Sequence, residues 1–423
     1  MLTMRGSTNL PSKRWTSFEG WDYNGMKERL QAALDTIDKS ALLRHAERLK
    51  GQKVIMSEPF SAGQYWICFE MIAEDDSLVV ARVRLPRHPE LSATVKEEDE
   101  EYGIACEIAT MEFVRQRLPT IPIPCLYAYE GPGSQSAADV GAVYMLLEGF
   151  YGNSLQDVEF DICNLPVTIQ EHIMTQWTKV QVELATLTLP QIGSISAIFP
   201  SGEPVLGRLA ASADVDRSDA GPFSKAVTYF TAVANAAAGK LDSSARLGAL
   251  VFRDILQKTP LFGDMDTVEQ LHLNHMDLGT QNILVDDSFN FVAIIDWEFA
   301  QTAPWQVNHY PMPFPLLGSD IEDILRDPSH LAYRNVLKQD VSRQMYRQKF
   351  QEAKRKVEKE GRPLQGSFAD TLNSPAARIY ACFNNLGRSP EADKGLLHEM
   401  VYRAFGWDAD RVEQYLSEIE QSG

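Results

Sequence analysis

Between His275 and Glu298 the chain reads HMDLGTQNILVDDSFNFVAIIDWE, and no other stretch limits its fold so tightly. It holds the pattern His-x-Asp-x-x-x-x-Asn, formed by His275, Asp277 and Asn282. Two short apolar runs follow, Ile283–Val285 and Phe291–Ile295, and the second delivers Asp296. Asp286-Asp287-Ser288 between them is turn chemistry, so the runs are expected to pair as a hairpin. A hairpin carries the chain out and back, which would return Asp296 beside Asn282. Alone, Asp277 or Asn282 would be an ordinary turn or capping residue. The ordered set with its two strands is much more specific.

That order suits phosphoryl transfer from a nucleotide. Asp277 would accept or orient the proton of an acceptor hydroxyl. Asn282 and Asp296 would hold magnesium, a hard cation that takes few ligands from protein and leaves the remainder to phosphates and water.

At these residues the chain resembles the aminoglycoside phosphotransferase and choline kinase-like group of small-molecule kinases. Ile-Asp-Trp-Glu at 295–298 is typical of that group, where protein kinases carry Asp-Phe-Gly. Trp305 after Gln301-Thr302-Ala303-Pro304 is similar to the long fungal members. The resemblance runs from about Lys53 to Trp305. It implies an α+β, protein-kinase-like two-lobe fold, with ATP and Mg2+ as cofactors and a small-molecule hydroxyl as acceptor. It also implies that His275 braces the loop and is not the base. The core motif is specific for the fold and says nothing of which acceptor is used.

The pattern of elements agrees. Met26 to Leu49 has helical apolar spacing and forms, with the residues before it, an N-terminal extension over 1–50. Trp66–Ile72, Leu78–Val83 and Val143–Leu147 read as strands of an N-lobe over 51–150. A helix is expected from about Glu97 to Leu118, ended by Pro119, Pro122 and Pro124. Gly131–Gly141, rich in Gly, Ser, Pro and Ala, reads as an exposed loop. A mainly helical C-lobe is expected over 151–423, with a helical insertion at about 201–256. In it Trp177 to Leu187 has core spacing, while Lys338 to Glu360 reads as a solvated charged helix.

The resemblance places further residues. Gly63, in Ser61-Ala62-Gly63-Gln64, falls where the family covers the nucleotide phosphates; otherwise it is a turn residue. Arg82 stands in Val79-Val80-Ala81-Arg82-Val83 where kinases carry the lysine that pairs the α- and β-phosphates. Arginine is bulkier and forks onto its partners, so the two are not equivalent. Arg84 shares its face of the strand and is the alternative. Glu107 lies within the apolar stripe of its helix, formed by Ile104, Ile108, Met111, Val114 and Leu118. A carboxylate aimed at a core needs a cation, which Arg82 would supply; the other reading puts Glu107 at the wet edge of the stripe. Tyr144 to Phe150 resembles the hinge, where backbone groups of Glu148 and Phe150 would bind adenine. Glu298, Asp320, Glu322 and Asp323 suit surface pairing or capping better than an acceptor pocket.

Composition excludes some classes. The 423 residues are 44% hydrophobic and 23% charged, ordinary for a globular chain with a full core. A formal charge of −18 argues against nonspecific nucleic-acid binding, which needs a basic surface. No apolar run is long enough to span a membrane, and no membrane partner is expected. The five scattered cysteines lack metal spacing and read as reduced thiols in the cytoplasm. A few basic residues and serines at the N-terminus would suit a mitochondrial signal, but Trp15 to Asp22 interrupts that pattern. Two rivals stand beside the small-molecule kinase: a kinase-like scaffold impaired by Arg82, and a protein kinase, for which Asp-Phe-Gly is missing.

Overall fold

The computed structural model describes residues 26–63, 65–86, 96–210, 221–239, 243–263, 271–318, 320–364 and 368–422. The expectations for the first 24 residues and for Gln64 lie outside them. The chain falls into two compact units. One is drawn from Met1–Ile104, Val114–Phe160 and Thr280–Asp296, the other from Ala105–Phe113, Asp161–Gly279 and Trp297–Gly423. The class is α+β, as expected.

In the first unit a five-stranded antiparallel sheet runs in the order β1-β2-β3-β5-β4. Its strands are β1 (Val54–Ala62), β2 (Trp66–Ala73), β3 (Leu78–Arg84), β4 (Leu126–Glu130) and β5 (Tyr144–Glu148). Alternation sorts its side chains between two faces. Ile67, Phe69 and Met71 of β2, Val79, Ala81 and Val83 of β3, and Tyr144 and Leu146 of β5 enter one core. Helices α1 (Met26–Thr36) and α2 (Lys39–Lys50) complete that core through Leu30, Ala33, Leu42 and Ala46. Asp38 caps α2 by accepting from the Ala41 amide at 2.9 Å, and Gly51 ends it in a left-handed conformation. On the opposite face Arg82 stands in register with Cys68 and Met145.

The expected loop at Gly131–Gly141 instead contains a helix, α4 (Gln135–Val140), after α3 (Glu97–Arg117). The same residues that suggest a loop act here as caps. The Ser134 side chain accepts from the Ala137 amide, and Gly141 closes the helix at φ 84. A side chain at Gly141 would also sit 2.8 Å from the Thr36 carbonyl oxygen, so no other residue fits. A smaller sheet, β12-β11-β6, joins β6 (Asn153–Ser154), β11 (Ile283–Val285) and β12 (Phe291–Ile294). Gly152 lets its strand approach β11, since a Cβ there would lie 2.6 Å from the Val285 carbonyl oxygen. The short helix α5 (Leu155–Val158) follows β6.

The second unit is mainly helical. Its core helices are α6 (Val167–Ala185), α7 (Ala226–Ala238), α8 (Ser243–Lys258), α10 (Tyr333–Lys359), α12 (Pro375–Asn385), α13 (Pro390–Phe405) and α14 (Ala409–Ser422). Two short helices, α9 (Ile321–Arg326) and α11 (Phe368–Thr371), flank α10. Strand β10 (Leu271–Asn274) lies between β13 (Gln301–Ala303) and β7 (Thr188–Leu189), and β8 (Ser194–Ile198) pairs with β9 (Pro204–Gly207). Helices α7 and α8 of the 201–256 stretch contribute to the core: Phe230 of α7 packs on Phe252 of α8 and on Phe262, with ring centroids 6.1 and 4.8 Å away.

Helix α10 departs from its expected solvated character. Val336, Ser342, Tyr346, Phe350 and Val357 are buried along one face, which packs on α6. The Trp177 ring of α6 meets Tyr346 edge-on at 6.1 Å, and Phe314 joins both. The long polar face hides this stripe in the sequence. Glu322 and Asp323 pair with Arg326 on the surface, in line with expectation. All five cysteines are free thiols; three are buried, while Cys68 and Cys125 are half-buried. Among the described residues no helix is long and apolar enough to cross a membrane.

Candidate functional site

The sequence-predicted residues fall in both units, and each group has its own local geometry. In the first unit the expected hairpin forms. Ile283 pairs with Ile294, and the Ile295 amide donates to the Asn282 carbonyl oxygen at 3.0 Å. That bond holds Asn282, at the end of the 3-10 turn Thr280–Asn282, next to the strand end that leads to Asp296. The Ile294 amide donates to Pro122 at 2.8 Å, which ties β12 to the extended proline segment.

Asp296 adopts φ 65, in the left-handed region that only a few non-glycine residues enter. Aspartate is among the residue types that tolerate it. Asn282 is buried, whereas the Asp296 side chain is about a third exposed, at 35%. A guanidinium nitrogen of Arg82 lies 3.6 Å from Asp296 Oδ1. The Arg82 guanidinium also stacks over the Trp66 ring at 4.9 Å. Arg84 shares the Trp66 ring, at 5.1 Å, and also sits 3.6 Å from Glu100 and over the Tyr65 ring at 4.8 Å. Strand parity puts both arginines on one face beside Trp66, and they differ in their carboxylate partners, Asp296 for Arg82 and Glu100 for Arg84. Trp66 gives no chemical signal in the sequence beyond its place at the start of β2.

Glu107 is buried at 1% exposure, so the reading that put it at a wet edge does not hold. Glu148 ends β5. Its amide donates to the Cys125 carbonyl oxygen at 2.8 Å, and its carboxylate accepts from the Cys125 amide at 3.1 Å with Arg115 at 3.8 Å. The Glu148 N–H is therefore spent within the sheet and is not open to a ligand. Phe150 is half-buried just beyond. Gly63 lies in the β1–β2 turn, where its amide donates to the Trp66 carbonyl oxygen at 2.9 Å. A Cβ at Gly63 would meet nothing within 4 Å. The hairpin thus uses this amide itself and makes no steric demand for glycine.

In the second unit β10 leads straight into the loop that bears Asp277. His275 is buried, with its ring 4.5 Å from that of Trp297. Met276 has φ 65. A strained conformation of this kind in a bulky residue costs about 1–3 kcal/mol and persists only where surroundings impose it. Here the Met276 amide donates to Asn274 Oδ1 at 2.8 Å, an Asx turn. Asn274 Nδ2 donates to Asn308 Oδ1 at 3.0 Å. Asn308 Nδ2 reaches the Trp305 carbonyl oxygen at 3.0 Å and His272 Nε2 at 2.9 Å. Burial holds the His272 imidazole neutral and pushes its pKa down to about 4. Asp277 is half-exposed, and its carbonyl oxygen accepts from the Gly279 amide at 2.9 Å.

Asn274 and Asn308 were not visible as site residues in the sequence. Asn274 carries a weak turn signal two residues before Met276; Asn308 carries none.

A sequence model described as the phosphotransferase enzyme family matches residues 73–307. No curated protein matches the chain. Among solved structures, an amicoumacin kinase in complex with AMP-PNP, Ca2+ and amicoumacin is similar at a TM-score of 0.43 and 12% identity, over 93% of this chain and 96% of that one. A macrolide 2'-phosphotransferase type I gives a TM-score of 0.39 and 13% identity, over 91% of this chain and 96% of its own. The macrolide 2'-phosphotransferase of Brachybacterium faecium gives 0.38 and 15%, over 90% of this chain and 98% of its own.

Proposed function

The chain belongs to the phosphotransferase enzyme family, and on that premise we propose that it moves the γ-phosphoryl group of ATP to a hydroxyl of a small molecule. The acceptor oxygen attacks the γ-phosphorus, the bond to the β,γ-bridging oxygen breaks, and ADP leaves. The acceptor proton passes to the Asp277 carboxylate, which also orients the hydroxyl.

Asn282 and Asp296 lie at the paired ends of one hairpin and carry oxygen donors, a donor set that fits magnesium. When bound, the metal would neutralise charge on the triphosphate. Arg82 would pair with the phosphates, its guanidinium oriented by stacking on Trp66, and buried Glu107 would offer it a counter-charge. The Glu148 carbonyl and the Phe150 backbone would read adenine. Gly63 would contribute the closing of the β1–β2 hairpin above the phosphates.

The observation that carries this reading is the bond between Ile295 and Asn282 together with the approach of Arg82 to Asp296. They support reading Asn282 and Asp296 as metal ligands with Arg82 as the cation that pairs the phosphates. The test is transfer of labelled phosphate from ATP into an extract of small metabolites. Asp277→Ala should lower turnover by about 10²–10⁴-fold while leaving nucleotide affinity nearly intact. Turnover at the native rate would remove Asp277 from the role. Asp296→Ala should weaken nucleotide binding only when magnesium is present; native affinity of the variant in the presence of magnesium would remove the ligand assignment.

A further inference from the structure

We infer that Asn308 and Asn274 are a positioning pair that aims the Asp277 carboxylate by holding the backbone of Met276. The inference rests on the reading of Asp277 as the residue facing the acceptor hydroxyl. Its evidence is separate from that reading.

The hydrogen bonds of the pair run in only one direction. The Trp305 carbonyl oxygen can only accept, so the amide nitrogen of Asn308 must face it. That leaves Asn308 Oδ1 toward Asn274, whose nitrogen therefore donates. Asn274 Oδ1 then faces the Met276 N–H, which can only donate. The second N–H of Asn308 requires an acceptor, and His272 supplies Nε2 in its neutral form, with the proton on Nδ1. Burial of His272 at 5% and Asn308 at 8% exposure keeps water from competing for these bonds.

The chain thus connects β10, the Trp305 turn and the peptide just before Asp277. Met276 is where such a hold is needed. Left to itself a methionine avoids φ 65 and would relax toward the ordinary regions. That rotation would swing the following residue, Asp277. A shift of about 1 Å at a reacting group is worth about 100-fold in rate.

The test compares Asn274→Ala, Asn274→Asp and Asn308→Asp with the native chain. Asn274→Asp keeps the acceptor for the Met276 amide but replaces the donor to Asn308 Oδ1 by a second acceptor, which breaks that link. Asn308→Asp puts a second acceptor against Trp305 and His272. Phosphate transfer from ATP is split into kcat and nucleotide KM, and exchange of the Met276 amide with deuterium is followed in each protein. We expect Asn274→Ala and Asn308→Asp to lower kcat by about 10- to 100-fold with nucleotide KM unchanged. Exchange at Met276 should rise in both, and Asn274→Asp, which keeps the Met276 acceptor but breaks the link to Asn308, should fall between Asn274→Ala and the native chain in both measurements. Native kcat in Asn274→Ala or Asn308→Asp, unchanged protection of the Met276 amide, or fully native behaviour of Asn274→Asp would each overturn the inference. A native chain that transfers no phosphate sinks the reading of Asp277 and the catalytic purpose of the pair with it. The exchange measurement separates that failure from a failure of the anchoring itself.

Discussion

At the scale of single residues, burial and backbone shape decide what each polar group can do. His272 is the clearest case. Its folded pKa of about 4 lies below the ordinary 6.5, because the neutral ring is the form that burial tolerates. Above pH 6.5 both the folded and unfolded chains hold it neutral, and its contribution to stability is complete. As pH falls from 6.5 toward 4 only the unfolded chain takes up the proton, so stability drops. The loss reaches about 3 kcal/mol below pH 4. His45 and His309 are lowered by burial as well and act with the same sign. Thermal unfolding at pH 7 and pH 4.5 checks this. His272→Gln keeps an acceptor for Asn308 and cannot take the proton, so its pH dependence should be shallower than that of the native chain. Equal slopes would show that His272 does not carry the effect. The identity of Asp277, Asn282 and Asp296 as candidates was readable because each belongs to one short local pattern. The choice between Arg82 and Arg84 was not, because parity along a strand treats them alike and only their distant partners differ.

At the scale of elements, caps and apolar stripes explain both the successes and the failures of pattern reading. The hairpin of β11 and β12 was expected because turn residues separate two apolar runs. Helix α4 was missed because Ser134 and Gly141 serve equally well in a loop and as the two ends of a helix. The buried face of α10 was missed because charged residues outnumber the five that pack. That face is open to test. Phe350 is almost fully buried, so Phe350→Ala should cost about 3–5 kcal/mol, through lost contact and the cavity left behind. Gln348 lies on the exposed side of the same helix, and Gln348→Ala should stay within about 0.5 kcal/mol. Denaturant unfolding of the two variants separates them. Similar losses in both would mean that helix propensity, not packing, holds α10.

At the scale of the whole molecule, the formal charge of −18 sets a background of self-repulsion. Buried carboxylates are neutralised locally: Glu399 accepts from Arg378 and, at 2.9 Å, from Arg403, and Glu183 pairs with Arg362. Exposed charges remain in excess, and salt screens them over about 10 Å at 0.1 M. The melting temperature should therefore rise as sodium chloride is increased from about 0.01 to 0.3 M, across the range where screening sets in. A fall would show that favourable ion pairs outweigh the repulsion.

Turn preferences and strand alternation act over a few neighbouring residues, which is why the α+β class, the hairpin and the candidate residues Asp277, Asn282 and Asp296 could be recognised from the order of amino acids. Contacts across long stretches of chain have no such local signature. Folding alone brought Arg82 against Asp296, spent the Glu148 amide in the sheet, and placed Asn308 against Asn274, 34 residues away. Each depends on where whole elements pack, and packing is settled by the sum of many weak contacts that no short pattern encodes.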